Sequence, residues 1–315
     1  MTDKTLSQYY HELTDLIERK RNSDFGEFPT TVKSLDDIVR LDRGQVMVIG
    51  GGPGSGKTSL GLQMAYHISN NQNLEVLFLS LEMTGAELLG RIMCNSMDVN
   101  NKVLRTGDML EGEVIVKHKM ESFEQMVTKN SMNIVDDRGY KFSDIEKIIN
   151  ESYETKKPDI MFLDFLQLID WVDTNNQNAV IVSFIRKLTE MAKKHKIAIV
   201  LLSQLRRQPS GADARNPSMH DLLGSGAIEQ CAHIILVLYR KALSDGTCTH
   251  HVSIEKNRMG EVGANMIVNF DGAKYRFSDL ADSMEKVAPE ITSKPIVVEH
   301  KKTYHDLMDE VAWDE

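Results

Sequence analysis

Apolar residues recur along this chain in three rhythms. Near the start, Leu6, Tyr9, Tyr10, Leu13, Leu16 and Ile17 fall three and four apart, the spacing that gathers side chains onto one face of a helix. A helix is expected over residues 5–20, with a polar linker at residues 21–29 behind it. Its apolar face needs cover, either on its own domain or on a neighbouring subunit. From Val46 onward the pattern changes to unbroken apolar runs: VMVIG (46–50), VLFLS (76–80), NIV (133–135), IMFLDF (160–165), IAIVLLS (197–203) and IILVLY (234–239). Runs of this kind read as strands buried on both faces. Between them, residues 59–69, 85–94, 142–156 and 180–194 carry helical spacing. The alternation predicts an α/β fold, a mainly parallel sheet with helices on both faces. After Tyr239 the strands become short: HVSIEKN (251–257), ANMIVNF (264–270) and KYRFS (274–278), divided at Met259-Gly260 and Asp271-Gly272. They read as a C-terminal antiparallel hairpin extension with tight turns. Residues 279–315 hold no clear strand and carry ten acidic against four basic residues, so they are taken as an acidic tail.

Composition narrows the class without naming a partner. The chain has 315 residues, 41% hydrophobic and 26% charged, in the range of a globular protein. Its longest apolar run, Ile197 to Leu202, falls far short of the roughly 18 residues that span a bilayer. The opening MTDKTLSQYY has no apolar signal core, so a cytoplasmic protein without a membrane partner is expected. Cys94, Cys231 and Cys248 lie far apart without C-x-x-C spacing; buried free thiols are expected rather than disulfides or a zinc site. A net charge of -9 excludes a generally basic nucleic-acid coat, but leaves room for a local cationic loop.

The chemistry begins directly after the first strand. Gly51, Gly52, Pro53, Gly54, Ser55, Gly56, Lys57 and Thr58 satisfy G-x-x-x-x-G-K-[ST], and Ser59 opens the helical stretch that follows. Glycines let the backbone wrap a phosphate, and the helix N-terminus adds unpaired N–H groups and positive dipole charge. Lys57 is placed to reach the β and γ phosphates of ATP or another NTP, and the Thr58 hydroxyl to hold Mg²⁺. Phosphoryl transfer also needs a metal carboxylate and a group that orients water. Asp164 ends IMFLD, at the carboxyl edge of a parallel strand where ligands bind, and is the candidate metal carboxylate; a strand-end cap is the lesser alternative. Glu82 lies two residues past the neighbouring strand and is the candidate general base, or merely a helix-start carboxylate. Gln204, just beyond IAIVLLS, is a candidate γ-phosphate sensor.

Taken in order, residues 51–58, SLEM (80–83), LDFLQLID (163–170), LSQL (202–205), GSGAIEQCAHIILVLYR (224–240) and KNRMGEVG (256–263) resemble the RecA-like motor domain of DnaB-type hexameric replicative DNA helicases. The resemblance covers about residues 25–278 and is more specific than the phosphate loop alone. It implies a RecA-like P-loop NTPase core and a hexamer that hydrolyses NTP between subunits. It further implies 5′ to 3′ movement on single-stranded DNA and unwinding of duplex. It agrees with the roles of Lys57, Thr58, Asp164, Glu82 and Gln204, and counts Arg240 among the nucleotide-binding residues. It adds Lys256 and Arg258 as a lysine and arginine finger for the neighbouring subunit's nucleotide. An exposed cationic strand edge is the alternative for that pair.

The stretch LRRQPSGADARNPSMHDLL (205–223), with Arg206, Arg207 and Arg215, is long, polar and suited to DNA. The loop at 171–178 could also face DNA, although core packing suits Trp171 better. Many relatives carry an Arg-Glu pair before the Ser-Gly step, where this chain has Leu223 and Gly224. Phosphate contacts are therefore expected from the backbone of Gly224, Ser225 and Gly226, which needs no side chain. The resemblance divides the chain into a linker helix at 1–24 that docks on a neighbouring subunit, an ATPase/helicase domain at 25–278 and the tail at 279–315. It marks the chain as a short, phage-type form without the N-terminal primase-interacting domain. The tail either docks a primase, loader, polymerase or single-strand-binding protein, or is merely solvated. Recombinases, KaiC-like ATPases and ATP-gated adaptors or loaders share the core. GSGAIEQ and the Lys256/Arg258 spacing favour a helicase.

Overall fold

The structure, a computed structural model, describes residues 5–21, 27–109, 112–136, 142–164, 177–206, 215–222, 224–243 and 246–280. Among these, nine strands form one sheet: β1 (Val46–Gly51), β2 (Val76–Ser80), β3 (Met132–Val135), β4 (Ile160–Asp164), β5 (Ala198–Gln204), β6 (Ile234–Ala242), β7 (Cys248–Asn257), β8 (Asn265–Asp271) and β9 (Arg276–Ser278). Their order is β3-β2-β4-β5-β1-β6-β7-β8-β9. Pairing is parallel from β3 to β6 and antiparallel from β6 to β9. The expected mixed sheet is present, and β6 is the strand where one regime gives way to the other.

Every residue of β1 is buried, and period-two alternation sends its side chains to two cores. Met47 and Ile49 pack with Leu60, Met64 and Ile68 of α3 (Lys57–Asn71), Leu88 and Ile92 of α4 (Gly85–Ser96) and Phe123 of α6 (Glu113–Val127). Val46 and Val48 pack with Ile145 and Ile149 of α7 (Phe142–Thr155), Ile185 and Leu188 of α8 (Gln177–His195) and Ile228 of α9 (Ser225–Cys231). Helices cover both faces, and the carboxyl ends of the central strands stay open. Gly51 pairs with Gln204 and Ser80 with Asp164, so these ends lie along one edge.

Several expectations needed the structure to correct them. Helix α6 and the short α5 (Lys102–Thr106) were not legible, because α6 buries only Val116 and Phe123 while Val114 is 82% exposed. The β7–β8 connection takes seven residues, 258–264, rather than a tight turn at Met259-Gly260. It folds back onto another segment: a Cβ on Gly260 would lie 2.9 Å from the Ile38 carbonyl oxygen, to which Asn257 Nδ2, at the end of β7, donates at 3.1 Å. The β8–β9 turn is tight, as expected. Of the three cysteines only Cys94 is buried; Cys231 is half-buried and Cys248 exposed, since the ends of α9 and β7 stand at the rim of the sheet.

The N-terminal helix α1 (Leu6–Arg21) forms where its spacing predicts. Leu6, Tyr9, Tyr10, Leu13 and Ile17 are all exposed. Asp279 accepts from the Lys33 and Ser34 amides at 2.9 and 3.0 Å, closing the start of α2 (Lys33–Asp36). The first residue assigned to the tail thus belongs to the folded body. Trp171, Arg207, Leu223 and the tail from residue 281 lie outside the described residues. No helix among the described residues is long and apolar enough to cross a membrane.

Candidate nucleotide-binding site

The loop between β1 and α3 is shaped by contacts that exclude side chains. Gly56 holds φ at 96°, a left-handed conformation that favours glycine, and a Cβ there would sit 2.6 Å from the Phe277 ring. A Cβ on Gly51 would meet the Leu238 carbonyl at 2.9 Å. Lys57 turns back over the loop, its Nζ donating to the Gly51 and Gly52 carbonyls at 2.8 and 3.2 Å. Burial lowers the Lys57 pKa, while Asp164 and Glu82 oppose that shift.

Asp164 is 1% exposed, and neither carboxylate oxygen has a hydrogen-bond partner. Burial pushes its pKa up to about 6; Thr58 then lowers it, Glu82 raises it, and Lys57 and Arg91 lower it. The Thr58 hydroxyl is near enough to favour the anion without completing a hydrogen bond. An unpaired buried carboxylate is costly unless a cation compensates it. The donor set suits Mg²⁺, which needs one or two protein oxygens and takes the rest from phosphates and water. Among the described residues no group of three or more His, Cys, Asp or Glu side chains forms a self-sufficient metal cage.

Glu82 is exposed in the bend after β2. Ser80 shapes that bend, its Oγ donating to the Met83 carbonyl at 2.7 Å and accepting from the Met83 amide at 3.1 Å. A cleft of about 400 Å³ is lined by Pro53, Gly54, Gly56, Lys57, Thr58, Ser59, Glu82 and Gln204, together with Met83, Arg91, Phe270, Gly272 and Tyr275. The structure therefore brings most of the sequence-derived nucleotide residues to one cavity. Arg240 stands beside the loop, with its guanidinium 3.7 Å from the position of a Cβ on Gly54. Sequence reasoning missed Arg91 and the aromatic wall. Arg91 lies over the Tyr275 ring at 5.0 Å, and Tyr275 holds a φ of 54°. Nothing in the spacing of Arg91 on α4 separates it from a surface cation.

Lys256 and Arg258 occupy the opposite edge. Leu238 of β6 faces Gly51 of β1, whereas Lys256 faces Ile235. Those three residues of β6 put the lysine roughly 10 Å along the strand from its own phosphate loop, with two strand spacings of about 4.8 Å across. Lys256 Nζ donates to the Glu229 carbonyl, and Arg258 Nη2 to the Gln230 carbonyl at 2.8 Å. Both cations thus sit on the C-terminal carbonyls of α9, where the helix dipole favours positive charge. His233 adjoins them, accepting from the Val46 amide at 3.2 Å; burial, then Arg258, Lys193 and Lys256, lower its pKa to about 4.

The candidate DNA residues follow β5. Arg206 is exposed, Gly224 is buried with φ at 73° at the start of α9, Ser225 is half-buried and Gly226 exposed. Arg215 is paired through both guanidinium nitrogens with Asp221.

A profile described as DnaB-like helicase C-terminal domain matches residues 27–279. A "Probable plasmid replicative DNA helicase" of Chlamydia trachomatis is 34% identical over 263 residues, 83% of this chain and 57% of the relative. The "Replicative DNA helicase DnaC" of Bacillus subtilis is 27% identical over 265 residues, 82% of this chain and 57% of that protein. The chain thus spans little more than half the length of these curated relatives. Among solved structures, one described as an "ATPase Domain" superposes with a TM-score of 0.75 at 26% identity, covering 89% of this chain and all of the other. A second, "The Structure Of A DnaB-Like Replicative Helicase And Its Interactions With Primase", gives 0.73 at 25% identity, covering 89% and 68%.

Proposed function

Because the chain belongs to the DnaB-like helicase C-terminal domain family, we propose that it is an ATP-hydrolysing motor that moves 5′ to 3′ on single-stranded DNA and unwinds duplex as a hexameric ring. The observation that carries the reading is the pairing of a buried, unpartnered Asp164 beside Lys57 with two cations on the far edge of the sheet. One half of a phosphoryl-transfer site is present in each protomer, and the other half faces away from it.

Thr58 and Asp164 would hold Mg²⁺, which when bound neutralises charge on the β and γ phosphates. Lys57 leaves its two carbonyl partners for the phosphate oxygens, with Gly51 to Gly56 supplying backbone N–H groups around them. Glu82 accepts a proton from the attacking water, and Gln204 contacts the γ-phosphate. Arg91 and Arg240 add positive charge, and Phe270 and Tyr275 offer ring faces to the base. Lys256 and Arg258 act on the nucleotide of the neighbouring subunit, where an arginine finger contributes roughly 10³ to 10⁵ in turnover in other NTPases.

The ring follows from the need to bring those cations to a second protomer. The apolar face of α1, with Leu6, Tyr9, Tyr10, Leu13 and Ile17 exposed, docks on a neighbouring subunit. Single-stranded DNA meets the segment after β5, with Arg206, Arg207 and Arg215 and the backbone of Gly224, Ser225 and Gly226. Primase, a loader, polymerase or single-strand-binding protein is engaged in the cytoplasm through the acidic tail.

Separation of a forked duplex bearing either a 5′ or a 3′ single-stranded tail tests the reading. Unwinding that requires ATP and the 5′ tail is expected. DNA-stimulated hydrolysis without unwinding would replace the helicase with a translocase or adaptor, and no response to DNA would favour a regulatory ATPase.

A further inference from the structure

The segment between β5 and α9 starts and ends on one residue. Arg206 donates its amide to the Asp221 carbonyl at 2.8 Å, next to an antiparallel bridge between Leu205 and Leu222. From the other end, Arg215 Nη1 donates to Asp221 Oδ2 at 2.7 Å and Nη2 to Oδ1. The Ser218 amide donates to the same Oδ2 at 2.8 Å. Asp221 is buried and Leu222 fully so, and Leu222 packs onto Gly50, where a Cβ would come within 2.5 Å of its side chain. Glu255 of β7 fixes the turn from a further side by accepting from the Met219 amide at 3.2 Å.

We propose that Arg215 is a positioning residue rather than a phosphate ligand: with Asp221 it forms a clasp that holds residues 206 and 215–218 together at the base of the DNA segment. The proposal rests on the reading that this segment meets single-stranded DNA, and it changes what one of its arginines does there. A phosphate that recruited Arg215 would have to displace a two-pronged carboxylate partner, the strongest geometry available to a guanidinium. Displacement would also leave the buried Asp221 carboxylate without that partner. The clasp stands on Leu222 against the strand that leads into the phosphate loop, so the DNA segment is referenced to the nucleotide site through one buried side chain.

Two measurements on the full chain test this. Oligo(dT) binding is titrated against salt for the wild type, Arg215→Ala and Arg215→Lys. A clasp predicts that both variants bind at least about 5-fold more weakly at every salt concentration, with an unchanged slope, because lysine keeps the charge but loses the fork. A direct phosphate contact predicts that Arg215→Lys stays near wild type and that Arg215→Ala lowers the slope by about 0.7; that result overturns the proposal. Amide hydrogen exchange is then read without DNA. The clasp predicts exchange at Arg206 and Ser218 at least about 10-fold faster in both variants, and unchanged exchange overturns it. If the wild type binds no oligo(dT), the DNA reading has failed, and the exchange result alone decides whether the clasp exists.

Discussion

The two edges of the sheet hold their charged groups in opposite ways. At the carboxyl edge, Asp164 is buried with both oxygens unpartnered, and Lys57 rests on two loop carbonyls. At the far edge, the half-buried Lys256 and the exposed Arg258 are held on the carbonyls that end α9. The first edge carries a buried carboxylate with no hydrogen-bond partner. The second has its cations hydrogen-bonded within the same chain. The difference teaches that a buried group left unsatisfied marks a candidate ligand site within one protomer, whereas cations already hydrogen-bonded inside the chain leave no such mark.

The largest effect that would break this contrast is at Arg258. Arg258→Ala is expected to lower turnover by roughly 10³-fold or more while nucleotide affinity, read by fluorescent-nucleotide titration, stays within about 2-fold. Loss of binding would mean that the arginine serves its own loop. Mixing Arg258→Ala with Lys57→Ala protomers sharpens the point, because some interfaces then pair an intact loop with an intact finger and activity returns in part.

Next is the proposed assembly that would bring the edges together. Leu13→Asp with Ile17→Asp places charge on the exposed face of α1, and sedimentation should show the oligomer dissociating at concentrations where the wild type remains associated. An unchanged oligomer would mean that this face covers its own domain.

Asp164→Asn tests the carboxyl edge. Removing a buried charge without a partner should stabilise the nucleotide-free protein by about 1–3 kcal/mol, raising Tm by several degrees, while Mg²⁺-dependent turnover is lost. A lowered Tm would show that the carboxylate is satisfied in the free protein.

The smallest effect concerns an ordinary surface cluster used as a reference. Lys274 and Arg276 hold the Asp98 carboxyl down to about 2. A depressed folded pKa gives stability that is present above the ordinary aspartate value of 3.8 and is lost as pH falls toward 2. With Asp98 half exposed, the contribution is below about 1 kcal/mol. Asp98→Asn should flatten that part of the stability profile and leave hydrolysis unchanged, unlike any change at either edge.

What could be read from the chain depended on how local the physical requirement was. The phosphate loop was legible because its glycines answer a backbone demand within eight positions, and Asp164 because a carboxylate ending a buried strand has few other uses. Helix α6 was not, since most of its surface is exposed and its periodicity carries little burial. Arg91 was not, because its partner Tyr275 is far away in sequence. Arg215 was legible as a cation, but its bond to Asp221 was not.

The sequence by itself determined the strand-and-helix alternation, the nucleotide loop and the family, because hydrophobic period and glycine placement act over a few residues and survive without knowledge of neighbours. Only the tertiary structure decided that Lys256 and Arg258 lie at the edge opposite the phosphate loop, which carboxylate is left unpaired and which arginine is already paired. Those outcomes depend on strand order and register, and the energy of a charge is set by whatever the fold brings within a few ångströms of it.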